Sequence, residues 1–231
     1  MQNTQKVIDV IDDSILKSDL CISKIDPETK DGKEILEYIG YTGTKTRHLY
    51  NNIMSFLDSI DVSVKYLEIG TFKGSSSISS LYNNSHVKAV FIDNWSQFQG
   101  SKEVFVAGMK KYIQSDNWAF IEKDCWNIDL NEINMDKFNV YLYDGSHTER
   151  DHYKAISVYS AIMEDRFIYL VDDWNWEDVR NGTFKALTDL NLKVLYKKEI
   201  FVEEKDLVNM PNHNGKVGWW NGIGIFFLEK T

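Results

Sequence analysis

Two apolar runs in this chain end in residues able to do chemistry together. The first, Val140-Tyr141-Leu142-Tyr143-Asp144-Gly145-Ser146-His147-Thr148, closes on a carboxylate with an imidazole three positions later. The second ends in Leu170-Val171-Asp172-Asp173-Trp174. If the runs are neighbouring strands, Asp144, Asp172 and Asp173 meet at one sheet edge, where three like charges are unfavourable unless protonated or neutralised by a cation. The donors are hard oxygens with no nearby cysteine, so Mg2+, Mn2+ or Ca2+ suits them better than structural zinc. A hydroxyl on such an ion loses its proton more readily, and His147 can accept that proton near neutral pH. A vicinal diol could chelate the ion through both oxygens, which fixes the hydroxyl that reacts. The competing account is architectural: Asp172 and Asp173 cap a helix running from Trp174 to about Leu187, and His147 caps the helix after Asp144. Ser146 is flanked by Asp144-Gly145 and His147-Thr148 rather than by a G-x-S-x-G elbow, which disfavours a serine hydrolase.

A second group of residues has the spacing of a ligand cradle. Glu68-Ile69-Gly70-Thr71-Phe72-Lys73-Gly74 is an E-x-G-x-x-x-G turn leading into Ser75, Ser76 and Ser77, which can open a helix; glycines there let backbone approach a ligand closely. The dinucleotide fingerprint G-x-G-x-x-G needs glycine where this chain has Phe72, which weighs against an NAD or FAD site. Asp93 ends the next apolar run, about where an acid is needed to accept both ribose hydroxyl hydrogens. A third run leads to Glu122-Lys123-Asp124-Cys125-Trp126. Upstream, the segment Tyr41 to His48 precedes a helix that Thr44 or Thr46 could cap. Trp174 and Trp176, with Trp219 and Trp220, could line an acceptor pocket, because aromatic faces stack on sugar rings and planar substrates.

The elements that must position these groups follow from hydropathy. Val64 to Ile69, Lys88 to Ile92, Trp118 to Ile121, Asn139 to Tyr143 and Phe167 to Val171 are short apolar runs separated by helix-length polar stretches, as a parallel sheet with crossover helices requires. Lys193 to Val202 and Gly222 to Leu228 read as a terminal antiparallel pair around a loop containing Pro211 to Gly215. Ahead of the sheet, Leu49, Ile53, Phe56, Leu57 and Ile60 share one helix face, and Val7, Ile8, Ile11 and Ile15 make a shorter stripe. The expected organisation is one α/β domain over residues 1–231, with a helical cap at 1–60 and the sheet at 61–231.

The bulk figures narrow the partners. A chain of 231 residues with 43% hydrophobic content can bury one sizeable core. The formal charge of −9 would repel a phosphate backbone, so no nucleic-acid partner is expected. Cys21 and Cys125 sit in no metal or disulfide spacing, and the aspartates among the first residues do not make a secretory signal. A cytoplasmic protein with no membrane segment, acting on a small molecule, is the expectation; a homo-oligomer is left open.

Five βα strands closed by a hairpin resemble the Rossmann-like sheet of class I S-adenosylmethionine (SAM)-dependent methyltransferases, and the E-x-G-x-x-x-G turn resembles their first motif. The resemblance implies SAM as cofactor, held by Glu68, Gly70, Thr71, Gly74 and Ser75, with Asp93 on the ribose. It implies Asp124 on the adenine amino group beside a backbone donor from Cys125, and the segment around Thr44 as a lip over the methionine end. The D-G-S-H and acidic-pair segments resemble the metal-dependent sugar O-methyltransferases of macrolide biosynthesis and, more distantly, catechol O-methyltransferases. This likeness covers roughly Val64 to Trp176. It implies Asp144, Asp172 and Asp173 as metal ligands and His147 as the base; catechol-type enzymes carry lysine there, so His147 favours the sugar-type comparison. The implied activity is metal-dependent O-methylation of a sugar or other vicinal diol, with an NAD(P)-dependent oxidoreductase or a non-catalytic SAM- or glycan-binding module as alternatives.

Overall fold

A computed structural model describes residues 4–97, 102–133, 135, 137–203 and 218–231. Helices α1 (Thr4–Asp19), α2 (Lys30–Leu36) and α3 (Thr44–Ser59) precede the sheet. Then follow β1 (Lys65–Ile69), α4 (Ser75–Leu81), β2 (Lys88–Asp93), α5 (Lys102–Tyr112), β3 (Trp118–Glu122), β4 (Phe138–Tyr143), α6 (Glu149–Tyr159), β5 (Met163–Asp172), α7 (Glu177–Asp189), β6 (Lys193–Ile200) and β7 (Ile223–Glu229).

The seven strands lie in the order β3-β2-β1-β4-β5-β7-β6. Strands β1 to β5 pair in parallel, and β7 runs antiparallel to both β5 and β6. The expected mostly parallel sheet with an antiparallel hairpin is present. Within that hairpin β7 inserts between β5 and β6, and β6 takes the outer place. The loop with Pro211 to Gly215 lies outside the described residues.

Alternation along the central strands divides the core between the two faces of the sheet. Tyr66, Phe91, Val140, Leu142 and Ile168 pack toward α1, α3, α4 and α5, together with Val7, Ile11, Leu49 and Ile53. Leu67, Ile69, Tyr141, Tyr143 and Val171 pack on the other face toward α6 and α7, with Ala155, Ile156 and Val179. Covering on both faces explains why β4 is buried at every position and reads in the sequence as an unbroken apolar run. The N-terminal stripes fold as expected, with Leu49, Ile53 and Leu57 on the buried side of α3.

Candidate active site

The chain leaves β1 toward β2 on one side and later returns to pair β4 on the other, so the strand order reverses between β1 and β4. Open α/β sheets bind ligands at such a reversal, beyond the carboxyl ends of the strands. A cavity of about 660 Å³ lies there, a volume ordinary for a cofactor or small-molecule site. Register sets its floor. Ile69 is level with Tyr143, and Tyr143 with Val171, so Gly70, Asp144 and Asp172 leave three adjacent strands side by side. Gly70 has φ +90°, and a Cβ on it would stand 1.8 Å from the Asp144 carbonyl oxygen; any side chain would force the two strand ends apart.

The residues expected to work on a metal come together at this edge. Asp144, His147 and Asp173 offer donor atoms within 4.8 Å of one another. The set differs from the expected three carboxylates in two ways: His147 takes part and Asp172 is outside it. His147 Nε2 is 2.7 Å from Asp173 Oδ2, while Asp173 Oδ1 accepts a 2.6 Å hydrogen bond from Asn221 Nδ2. Asp172 borders the same cavity and is 3% exposed, with Oδ1 unpartnered. Burial, then the charges of Asp172 and Asp173, push the Asp144 carboxyl far above its ordinary range; burial and Asp173 do the same to Asp172. Asp173 holds φ 54°, an uncommon conformation for a residue with a side chain. Crowded hard-oxygen donors beside an orphaned carboxylate oxygen are a donor set that a divalent cation fits.

The capping account is not what the structure contains. Thr148 caps α6, accepting from the Asp151 N–H, and α7 has Trp176 at its N-cap position with no side-chain capping bond. His147, Asp172 and Asp173 are therefore left to face the cavity.

On the cofactor side, Gly70, Thr71, Ser75, Asp93, Asp124 and Cys125 line the cavity. Thr71 Oγ1 is buried without a partner, a donor available to a ligand. Asp93 already accepts the Phe72 N–H at 2.7 Å on Oδ2 and the Trp95 N–H at 2.6 Å on Oδ1. Trp95 Nε1 donates to the Phe72 carbonyl at 2.6 Å, so Asp93 and Trp95 tie together the loops after β1 and β2. Each carboxylate oxygen keeps a lone pair for a ribose hydroxyl. Asp124 accepts the Trp126 N–H, forming a one-turn cap at the cavity rim. Tyr41 and Thr42 supply the lip, with Thr42 Oγ1 2.7 Å from Ser75 Oγ. Below the lip, the fully buried Arg47 donates to the carbonyls of Ile35, Tyr38 and Thr42.

Five expected residues stand elsewhere. Glu68 is fully buried beneath the loop, accepting from Tyr66 Oη, Ser76 Oγ and Ser77 Oγ, and does not border the cavity. Gly74 is the N-cap of α4, in left-handed conformation against Phe105. Thr44 is the first residue of α3, off the cavity; Gly43 is the N-cap, and neither Thr44 nor Thr46 caps the helix. The Trp174 indole is buried over Gly224 and against Phe226, with Nε1 bonded to Glu199. Trp219 is likewise off the cavity, while Trp176 and Trp220 are on its wall. Trp95, Asn221 and Arg47 were not anticipated; a tryptophan two residues after the strand-end Asp93 was the one local hint.

No protein-family model matches the chain, and no curated protein matches it. Solved structures do match in fold. The O-methyltransferase TomG from Streptomyces achromogenes, involved in tomaymycin synthesis and solved in complex with SAM, has a TM-score of 0.55 at 13% identity over 78% of each chain. An O-methyltransferase from Bacillus cereus in complex with SAH has 0.53 at 10% identity, covering 77% of this chain and 79% of that one. A precorrin-6y C5,15-methyltransferase from Geobacter metallireducens has 0.50 at 12% identity, covering 78% and 88%. At these identities the likeness establishes the fold: the chain has the Rossmann-like architecture of class I SAM-dependent methyltransferases. Among the described residues no helix is long and apolar enough to cross a membrane.

Proposed function

We propose that the protein is a SAM-dependent, divalent-metal-dependent O-methyltransferase acting on a small hydroxylated acceptor, a sugar or other vicinal diol. The observation that carries this reading is that the Asp144–His147–Asp173 cluster opens onto the same cavity as Thr71, Asp93 and Asp124. SAM, when bound, supplies a methyl group on a sulfonium sulfur. Mg2+, or Mn2+ or Ca2+, when held by Asp144, Asp173 and the adjoining Asp172, supplies the positive charge that acidifies a hydroxyl. His147 takes the acceptor proton, and Asp173 balances the charge the imidazole then carries. Asp93 binds the ribose hydroxyls and Asp124 the adenine side. Trp176, whose ring centre is 5.0 Å from that of His147, provides the wall along which the acceptor slides.

The test has two stages. Thermal unfolding with SAM, SAH or NADH identifies the cofactor, because the true ligand stabilises the folded state at micromolar concentration. Methyl transfer to a diol panel is then measured with Mg2+ and with excess EDTA. Turnover undiminished by EDTA and by Asp144→Ala removes the metal from the reading.

A further inference from the structure

The proposed function leaves the charge of the acceptor open, and the cavity wall bears on it. Six aspartates line it: Asp93, Asp124, Asp144, Asp151, Asp172 and Asp173. Among the described residues Lys123 is the one lysine or arginine on the same wall, and its ammonium is engaged by Glu132. A divalent ion and the singly positive cofactor offset only part of this charge, so the filled site still carries a negative field in a concave, partly water-excluded space. A second observation ties the field to a ligand. Asp172 Oδ1 and Thr71 Oγ1 are buried, unpartnered and on the cavity wall, so the floor holds polar atoms left for something that binds there.

The remaining wall is aromatic. Trp176 is 50% exposed beside His147. On the lip, Tyr41 is 49% exposed, stacks on Phe72 at 5.4 Å and 8°, and meets Trp220 at 5.9 Å. Exposed aromatic faces in a negative field attract a ring and, more strongly, a ring that carries a cation.

Resting on the function proposed above, we infer that the acceptor is a ring diol without phosphate or carboxylate, and that an amine-bearing diol is bound in preference to a neutral one. Asp151 stands on the first turn of α6, bonded to Thr148 rather than to any of the clustered donors, so its charge is not consumed by the floor. An anionic acceptor meets Asp151 and the surplus of the floor; the lysines nearest the wall, Lys73 over the Phe72 ring and Lys154 over the Trp126 ring, are fewer than the six aspartates that line it.

The test uses three catechols of matching shape: dopamine, 4-ethylcatechol and 3-(3,4-dihydroxyphenyl)propionate. Their binding to the full chain with SAH and Mg2+ is measured by calorimetry. Dopamine is expected to bind tightest and the propionate about tenfold more weakly than 4-ethylcatechol, with the spread shrinking as salt rises from about 0.05 M to about 0.5 M. Asp151→Asn narrows the spread. Equal binding of dopamine and the propionate, a preference for the propionate, or a spread indifferent to salt overturns the inference while leaving the methyltransferase reading intact. Failure of all three catechols to bind overturns the inference as well, while the diol reading is decided separately by methyl transfer across the diol panel.

Discussion

His147 Nε2 and Asp173 Oδ2 are 2.7 Å apart, and the other oxygen of Asp173 is held by Asn221. The imidazole is thus fixed by a carboxylate that is itself fixed from the loop before β7. If His147 is the base, His147→Ala keeps SAH affinity and lowers turnover by about 10²- to 10⁴-fold. Asn221→Ala, which removes the hydrogen bond to Asp173, should lower kcat several-fold and shift the pH–rate profile while KM for SAM stays put. An unchanged profile in Asn221→Ala would show that the support of Asp173 does not matter.

The crowded carboxylates set stability against metal binding. Asp172→Asn puts a neutral amide in place of a buried carboxyl whose ionisation burial and Asp173 oppose. The metal-free protein should gain about 1–2 kcal/mol in urea unfolding, and the rise in melting temperature caused by Mg2+ should shrink. A variant less stable than the parent without metal contradicts this account.

Arg47 donates to the carbonyls of Ile35, Tyr38 and Thr42 from a fully buried position, with burial lowering its pKa to about 10. A lysine ammonium cannot span three diverging acceptors as the guanidinium fork does. Arg47→Lys should cost about 2–4 kcal/mol in unfolding free energy. Because these bonds shape the lip, KM for SAM should rise more than kcat falls. Equal effects on both would mean the lip is not what Arg47 holds.

Burial raises the Glu68 carboxyl from the ordinary 4.5 to about 7, against the lowering effect of its bonds from Ser76, Tyr66 and Ser77. Between those values the unfolded chain has released the proton and the folded chain retains it. Stability therefore falls as pH rises from about 4.5 to about 7, by on the order of 3 kcal/mol from this group. Asp144 and Asp172 are shifted the same way, so the comparison is between proteins: the slope should be shallower in Glu68→Gln than in the parent. Parallel slopes would assign the pH dependence to the floor carboxylates alone.

The strands were readable because each central one is covered on both faces and ends where the chain meets the cavity, leaving an apolar run capped by a polar residue. Asp93, Asp124, Asp144 and Asp172 were found by that pattern. Glu68 misled because spacing from Gly70 says nothing of direction; strand alternation, which puts it on the face of Tyr66 under α4, could have corrected it. Trp174 and Trp176 are two residues apart yet one is core and one is wall, since the positive φ of Asp173 redirects the chain after β5. The start of α3 depends on Gly43 and Lys45 meeting Gly218, a contact between distant parts of the chain that no local signal encodes.

Strand β7 lies between β5 and β6 although it follows both in the chain. Strand β6 consequently has no seat in the sheet until the later strand has docked, and such non-local pairing is slow to form. Trp220 and Asn221 arrive with β7, so the acceptor wall and the bond to Asp173 are completed by the same event that closes the sheet. Completion of the Asp144–His147–Asp173 cluster is thereby a readout of finished folding: a chain holding only the five parallel strands has the Asp93 side of the cleft but lacks the wall that Trp220 and Asn221 supply.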